Sequence, residues 1–248
     1  MASAARPDRP VFKFSGIRVS QQPDDVSCGP TCLQGVYDFH GLHLSLEDVM
    51  SSVRRLDHGG TLGVLLGQDA LERGFEATLF TYNLEVFDPT WFTSYRNDLR
   101  PLLEQRLRSR RGEPRLCSAI EAYLEFIDHG GDVRHRELTP SLIAKIVRRG
   151  YPPITGLSAT YLYPCEREVF DGPKSAFDAV RGDPVGHFVV ISGVDGNTGK
   201  FRISDPSADN PAHRSGTYWV SPHRLVGAIF LGVTTYDGNL LIIRPRES

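Results

Sequence analysis

Lysine is scarce in this chain. Only four of the 28 basic residues are Lys, at positions 13, 145, 174 and 200, and the rest are Arg, which reads as the composition of a GC-rich genome rather than as a mechanism. Excess charge of either sign is also missing. The formal net charge is −2 and the pI is about 6.4, which excludes a strongly basic nucleic-acid binder in bulk. No apolar run approaches the ~20 residues that a membrane-spanning helix needs. Four cysteines are present and no two form a CxxC pair, so a structural zinc site has no framework. Neither an HExxH pattern nor a phosphate-binding P-loop occurs. The opening MASAARPDRP carries charge and proline where a secretory signal has an apolar stretch, so a cytoplasmic chain with free thiols is expected. Hydrophobic residues at 40% and charged residues at 23% exclude global disorder, and 248 residues suffice for one large core.

Residues 1–15 read as a flexible arm, with FKFSGIRVSQQ offering a short strand, and 16–248 as a single domain. A helix is expected over 31–39, with Ser27 as N-cap, Pro30 in the first turn and Gly41 at its end. Ser45 and Asp48 form a capping-box pattern before a second helix over 46–53. A third helix over 61–72 leads to the strand FEATLFTY. The Arg-rich middle reads as helical, and its RLRSRRGEPR block as a solvated helix face, because Glu104 and Glu113 interrupt it and no aromatics interleave. Thr139-Pro140-Ser141 opens another helix. Strands are then expected in ITGLSATYLY, HFVVISGVD, KFRISDP, GTYWV, AIFLGVTTY and LLIIRP, with HFVVISGVD and KFRISDP joined as a hairpin. Helices followed by an antiparallel sheet indicate an α+β fold.

The chemistry centres on few residues. Cys28 stands at a helix N-terminus, where unpaired N–H groups and the helix dipole favour a thiolate. On position alone, a small buried residue at the start of a core helix is the more ordinary role. Gly29 beside it is expected to let a substrate carbonyl approach the backbone. Of eight histidines, His40, His43, His58, His129, His135, His213 and His223 fall in turns and polar loops. His187 alone opens a strongly apolar strand. If the hairpin pairs as expected, Asp205 at the end of the partner strand meets His187 and fixes its tautomer. Gln22, or its neighbour Gln21, offers an amide donor for an oxyanion beside the Cys28 N–H. Cys32, one helical turn after Cys28, reads as a small core residue.

Gln22-(five residues)-Cys28-Gly29-Pro30-Thr31-Cys32-Leu33, Gly186-His187-Phe188-Val189-Val190 and Ser204-Asp205-Pro206 together resemble the papain-like cysteine peptidases of the double-glycine leader-peptidase type. The likeness spans roughly 18–95 and 138–230, leaving insertions near 96–137 and 164–185. It implies a papain-like α+β fold in which a nucleophile-bearing helical part packs on a C-terminal antiparallel sheet. It also implies a bacterial thiol protease acting on a peptide or peptide-like substrate without cofactor, metal or nucleic acid. By this matching Cys28 is the nucleophile, His187 the base, Asp205 the orienting acid and Gln22 the oxyanion donor. No membrane domain accompanies them here, so coupling to export does not carry over. Two other functions use the same residues: acyl or peptidyl transfer through the same thioester, and peptide binding without turnover.

Overall fold

The computed structural model describes residues 10–56, 60–93, 98–170, 175–207, 210–212, 215–235 and 237–246. His58, His213, the first nine residues of the expected arm, and residues 96–97 and 171–174 of the two insertions lie outside the described residues.

The chain begins with strand β1 (Val11–Lys13), which pairs antiparallel with residues 193–195. The arm boundary expected at residue 15 is thus corrected: residues 11–13 belong to the sheet, because the backbone beyond the end of a neighbouring strand needs partners. Helix α1 (Cys28–Phe39) starts three residues earlier than its apolar spacing suggested. Its N-cap Ser27 makes no side-chain cap bond. Instead, the Thr31 backbone N–H and hydroxyl both donate to the Ser27 carbonyl, at 3.0 and 2.8 Å. Helix α2 (Leu46–Ser52) has the expected capping box, with the Asp48 N–H donating to Ser45 Oγ at 3.0 Å and that hydroxyl donating to Asp48 Oδ2 at 2.6 Å. Helix α3 (Gly63–Glu72) then runs into strand β2 (Phe75–Thr81).

The middle segment supplies helices α4 (Leu99–Ser109) and α5 (Pro114–Asp128). Only Leu103 of α4 is buried, and its arginines pair with Glu104, Asp128 and the Glu85 carbonyl, as a solvated face should. By contrast, α5 buries Leu116, Ile120, Tyr123 and Phe126, and it packs on α3, where Gln68 donates to the Ala122 carbonyl at 2.7 Å. Strand β3 (Asp132–Arg134) and helix α6 (Pro140–Arg148) follow, the latter capped by Thr139, which accepts from the Leu142 N–H.

Strand β4 (Ile154–Ser158) ends sooner than expected. Ser158 caps a short helix α7 (Ala159–Leu162), so the second half of ITGLSATYLY is not strand. Strands β5 (Glu168–Phe170) and β6 (Ser175–Phe177) form a separate two-stranded sheet within the second insertion. Strands β7 (Gly186–Asp195) and β8 (Phe201–Ser204) make the expected hairpin, closed by Gly199 at φ +70°. Strand β9 (Thr217–Val220) precedes helix α8 (Pro222–Leu231), and β10 (Asn239–Pro245) ends the described fold. AIFLGVTTY is thus mostly helix, not strand. Ser221 accepts from the Arg224 N–H and Pro222 fixes the first turn, and the buried Leu225, Ala228 and Ile229 then follow helical spacing.

The main sheet runs β3-β2-β10-β4-β7-β8-β9, with β1 on the free stretch of β7. Every pairing is antiparallel except β2 with β3. On β10, Asn239 and Leu241 pack against α3 at Gly63 and Gly67. Ile242 has the opposite parity and lies with Ile146 of α6. Helices α3 and α6 therefore cover opposite faces of the sheet.

Candidate active site

The hairpin brings the site together. Val190 pairs with Ser204, so the carboxylate that follows Ser204 sits beside the start of β7. There His187 Nε2 lies 2.9 Å from Asp205 Oδ1, with His187 only 8% exposed and Asp205 2%. The Cys28 thiol, on the first residue of α1, is close enough to the same imidazole to favour its charged form. With Nε2 donating to Asp205, the nitrogen left for the sulfur is Nδ1. Cys28 itself is half-buried and reachable from outside.

Asp205 is held by more than His187. Its Oδ1 also accepts from the Ser207 N–H at 2.9 Å. Its Oδ2 accepts from Tyr163 Oη at 2.7 Å, from Asn210 Nδ2 at 3.1 Å and from Tyr218 Oη. Every neighbour is a donor, so the group is an ionised acceptor. Burial opposes the charge, but His187 and these hydrogen bonds overcome it and hold the carboxyl below the usual range. Burial likewise pulls the His187 imidazolium down. The Asp205 charge and hydrogen bond, with Cys28, outweigh burial and hold it well above the ordinary imidazole value. Burial and the adjacent carboxylate push both tyrosines far up, so they stay protonated donors. No motif or spacing pointed to Tyr163 or Asn210. Tyr218 was within reach, because GTYWV was an expected strand and its pairing sets Tyr218 opposite Ile203, two residues before Asp205.

Gln22 joins the site through its backbone, whose N–H donates to the Pro206 carbonyl at 2.9 Å. Its amide nitrogen donates to the Asp24 carbonyl at 2.7 Å, which leaves one amide N–H, and its buried Oε1 has no partner among the described residues. Gln21 is exposed, so Gln22 is the glutamine tied to this end of the sheet.

Gly29 corrects the sequence reading. It does not open a path for substrate, because a Cβ there would lie 2.7 Å from Thr61 Cγ2 and 3.3 Å from the Phe188 ring. Glycine is needed for α1 to pack this closely on β7, and that packing sets the distance between Cys28 and His187. Cys32 is fully buried and donates to the Phe188 carbonyl at 3.3 Å, and burial, then Cys28 and Asp205, push its thiol up, as suits a core residue. His40, His129 and His135 each meet a backbone carbonyl, of Ile243, Glu125 and Thr81.

A second buried carboxylate escaped the sequence reading. Asp237 precedes β10 and accepts from the Gly63 N–H and from Asn239 Nδ2, both at 2.9 Å. It therefore caps α3, whose N-cap Leu62 has no side chain able to do so. Burial without a cation pushes its carboxyl up to about 7.

No family model and no curated protein matches the sequence. Among solved structures, one named as a C39-like peptidase from Bacillus anthracis superposes with a TM-score of 0.52 at 12% identity, covering 97% of this chain and 100% of that one. Looser superpositions reach Xylellain, a cysteine protease from Xylella fastidiosa (TM-score 0.46, 14% identity, 97% of this chain and 87% of that one). They also reach a double glycine motif protease from an AMS/PCAT transporter, solved with its leader peptide (TM-score 0.43, 14% identity, 96% and 100%). No helix among the described residues is long and apolar enough to cross a membrane. The α+β architecture of this chain is the papain-like fold of the C39-type peptidases.

Proposed function

We propose that the chain is a cysteine peptidase, an amide hydrolase that works through Cys28, His187 and Asp205 on a peptide or peptide-like substrate. The observation that carries this reading is the imidazole of His187, hydrogen-bonded to a buried, fully satisfied carboxylate and close enough to the Cys28 thiol for its charged form to be favoured. A merely structural histidine does not need a half-exposed thiol at a helix N-terminus beside it.

In this mechanism the imidazolium accompanies the Cys28 thiolate. The sulfur attacks the substrate carbonyl carbon, and the C=O electron pair moves to the oxygen. The Cys28 N–H has no intrahelical acceptor at the first position of α1, and it holds this oxyanion together with the remaining amide N–H of Gln22. As the tetrahedral species collapses, the C–N bond breaks and His187 gives its proton to the departing amine. A thioester remains. Water, deprotonated by the now neutral His187, attacks it, releases the acid and restores the thiolate and imidazolium. Asp205 holds the ring orientation throughout.

Mass mapping after brief iodoacetamide treatment, with cleavage of a proteome-derived peptide library, tests the reading. Cys28 is expected to alkylate first, ahead of buried Cys32 and of Cys117, which donates to the Arg110 carbonyl. Cys28→Ala is expected to abolish cleavage, with new carboxyl termini appearing only for the wild type. Uniform labelling of all four cysteines, together with cleavage that survives Cys28→Ala, would overturn it. Products joined to an added amine in place of free acids would assign the site to acyl transfer.

A further inference from the structure

Across the sheet from α3, a cavity of about 280 Å³ lies between α6 and strands β2, β3 and β10. Five cationic side chains surround it: Arg134 and Arg136 from β3 and its exit, Lys145 and Arg149 from α6 and its end, and Arg244 from β10. None of its described lining residues is acidic. Two of the cations are partly neutralised from the side, Arg134 by Asp132 and Arg244 by Glu76. Arg136, Lys145 and Arg149 make no ion pair among the described residues, unlike Arg134 and Arg244. The floor is different in kind: Phe80, Leu142, Ile146 and Ile242 are apolar, and Tyr151 stands beside them.

Holding five cations around one concavity costs mutual repulsion that a chain of net charge −2 has no general need to bear. None of these residues takes part in the chemistry at Cys28. On β10 the cavity uses Ile242 and Arg244, whereas α3 packs on Leu241, so it opens on the other face of the sheet. A ring of guanidinium groups presents forked N–H donors that match phosphate oxygens. An apolar floor beneath such a rim suits a flat ring. The volume lies at the small end of ligand pockets, so one compact molecule fits and an extended polymer does not.

We propose that this cavity is a binding site for a small phosphate-bearing molecule with an aromatic ring, of mononucleotide size, separate from the Cys28 site. The phosphates sit among Arg136, Lys145 and Arg149, and the ring lies on Phe80 and Ile242. Because the cations are exposed, the affinity falls with salt.

Calorimetric titration with ADP at low salt, on the full chain, tests this. Inorganic pyrophosphate serves as the ring-free anion, citrate as the carboxylate polyanion and a single-stranded oligonucleotide as the polymer. ADP is expected to bind more tightly than all three. R136A/R149A is expected to weaken ADP about tenfold or more, as loss of two charged donors should. The same variant keeps the wild-type rate of Cys28 alkylation. R108A/R111A, on exposed arginines of the α4 region, is expected to change nothing. If the double variant does not fold, R149Q alone must weaken ADP at least about threefold. Absence of binding at millimolar ADP, equal weakening by R108A/R111A, or tighter binding of citrate or the oligonucleotide would each overturn the proposal.

Discussion

Two aspartates sit buried at strand ends of the same sheet, and their carboxyls shift in opposite directions. Asp205 is 2% exposed and Asp237 is 6% exposed, so depth does not separate them. Around Asp205 the chain gathers a histidine, two phenols, an amide and a backbone N–H. Around Asp237 the structure shows one backbone N–H and one amide, with no cation bonded to it among the described residues. Burial raises both carboxyls, but at Asp205 the partners win and the group stays ionised, whereas at Asp237 burial wins and the carboxyl rises to about 7. The lesson is that burial sets the cost of a charge and the donors around it decide whether the charge is kept. Asp205 therefore places a charge beside His187, whereas Asp237 serves as a helix cap.

The strongest break of this contrast is Asp205→Asn. Without the carboxylate, burial becomes the dominant influence on His187 and pulls it down. Turnover is expected to fall about 10²-fold or more, and the alkaline limb of kcat/KM to move toward neutral pH. A profile whose alkaline limb does not move would show that Asp205 does not hold the imidazolium.

Asp237→Asn is expected to act in the opposite sense, on stability and not on chemistry. With a folded value of about 7 against an ordinary value near ~4 in the unfolded chain, the folded state keeps a proton between those pH values that the unfolded state releases. Stability therefore falls as pH rises from about 4 to about 7 and is level above. An asparagine oxygen still accepts from Gly63 and Asn239. Chemical denaturation at pH 8 should find the variant more stable by on the order of 2 kcal/mol, with the slope between pH 4 and 7 reduced. A less stable variant at pH 8 would mean that the carboxylate is not the cost.

Tyr218→Phe removes one donor from Asp205. The folded carboxyl value is depressed, so its stabilisation is present above the unfolded value and lost as pH falls through the folded one. Losing a donor raises the folded value and shrinks that stabilisation. The acid-unfolding midpoint should move up by about half a pH unit or less, and turnover should drop only several-fold. An unchanged acid midpoint would remove Tyr218 from the account of Asp205.

Much of the fold was legible because its signals are local. The capping box at Ser45, the Thr139-Pro140 start of α6 and the Asp195–Gly199 turn depend on residues a few positions apart. The misread segments had conflicting local signals. AIFLGVTTY is apolar and β-prone, yet Ser221-Pro222 just before it starts a helix whose buried face is completed by contact with β4. ITGLSATYLY is continuous in hydropathy, yet Ser158 turns it into α7 and thereby delivers Tyr163 to Asp205.

The residue types able to do thiol chemistry, and the turn that folds β8 back along β7, were determined by sequence alone, because a turn depends on neighbouring residues. The register that sets His187 beside Asp205 also needs the bulge between Ile191 and Gly193, which only the structure shows. The tertiary structure decided what surrounds them: the phenols on Asp205, the cation-free burial of Asp237 and the ring of arginines drawn from β3, α6 and β10. Those groups lie far apart along the chain, and each becomes an electrostatic neighbour only once the sheet has closed and water has been excluded between its layers.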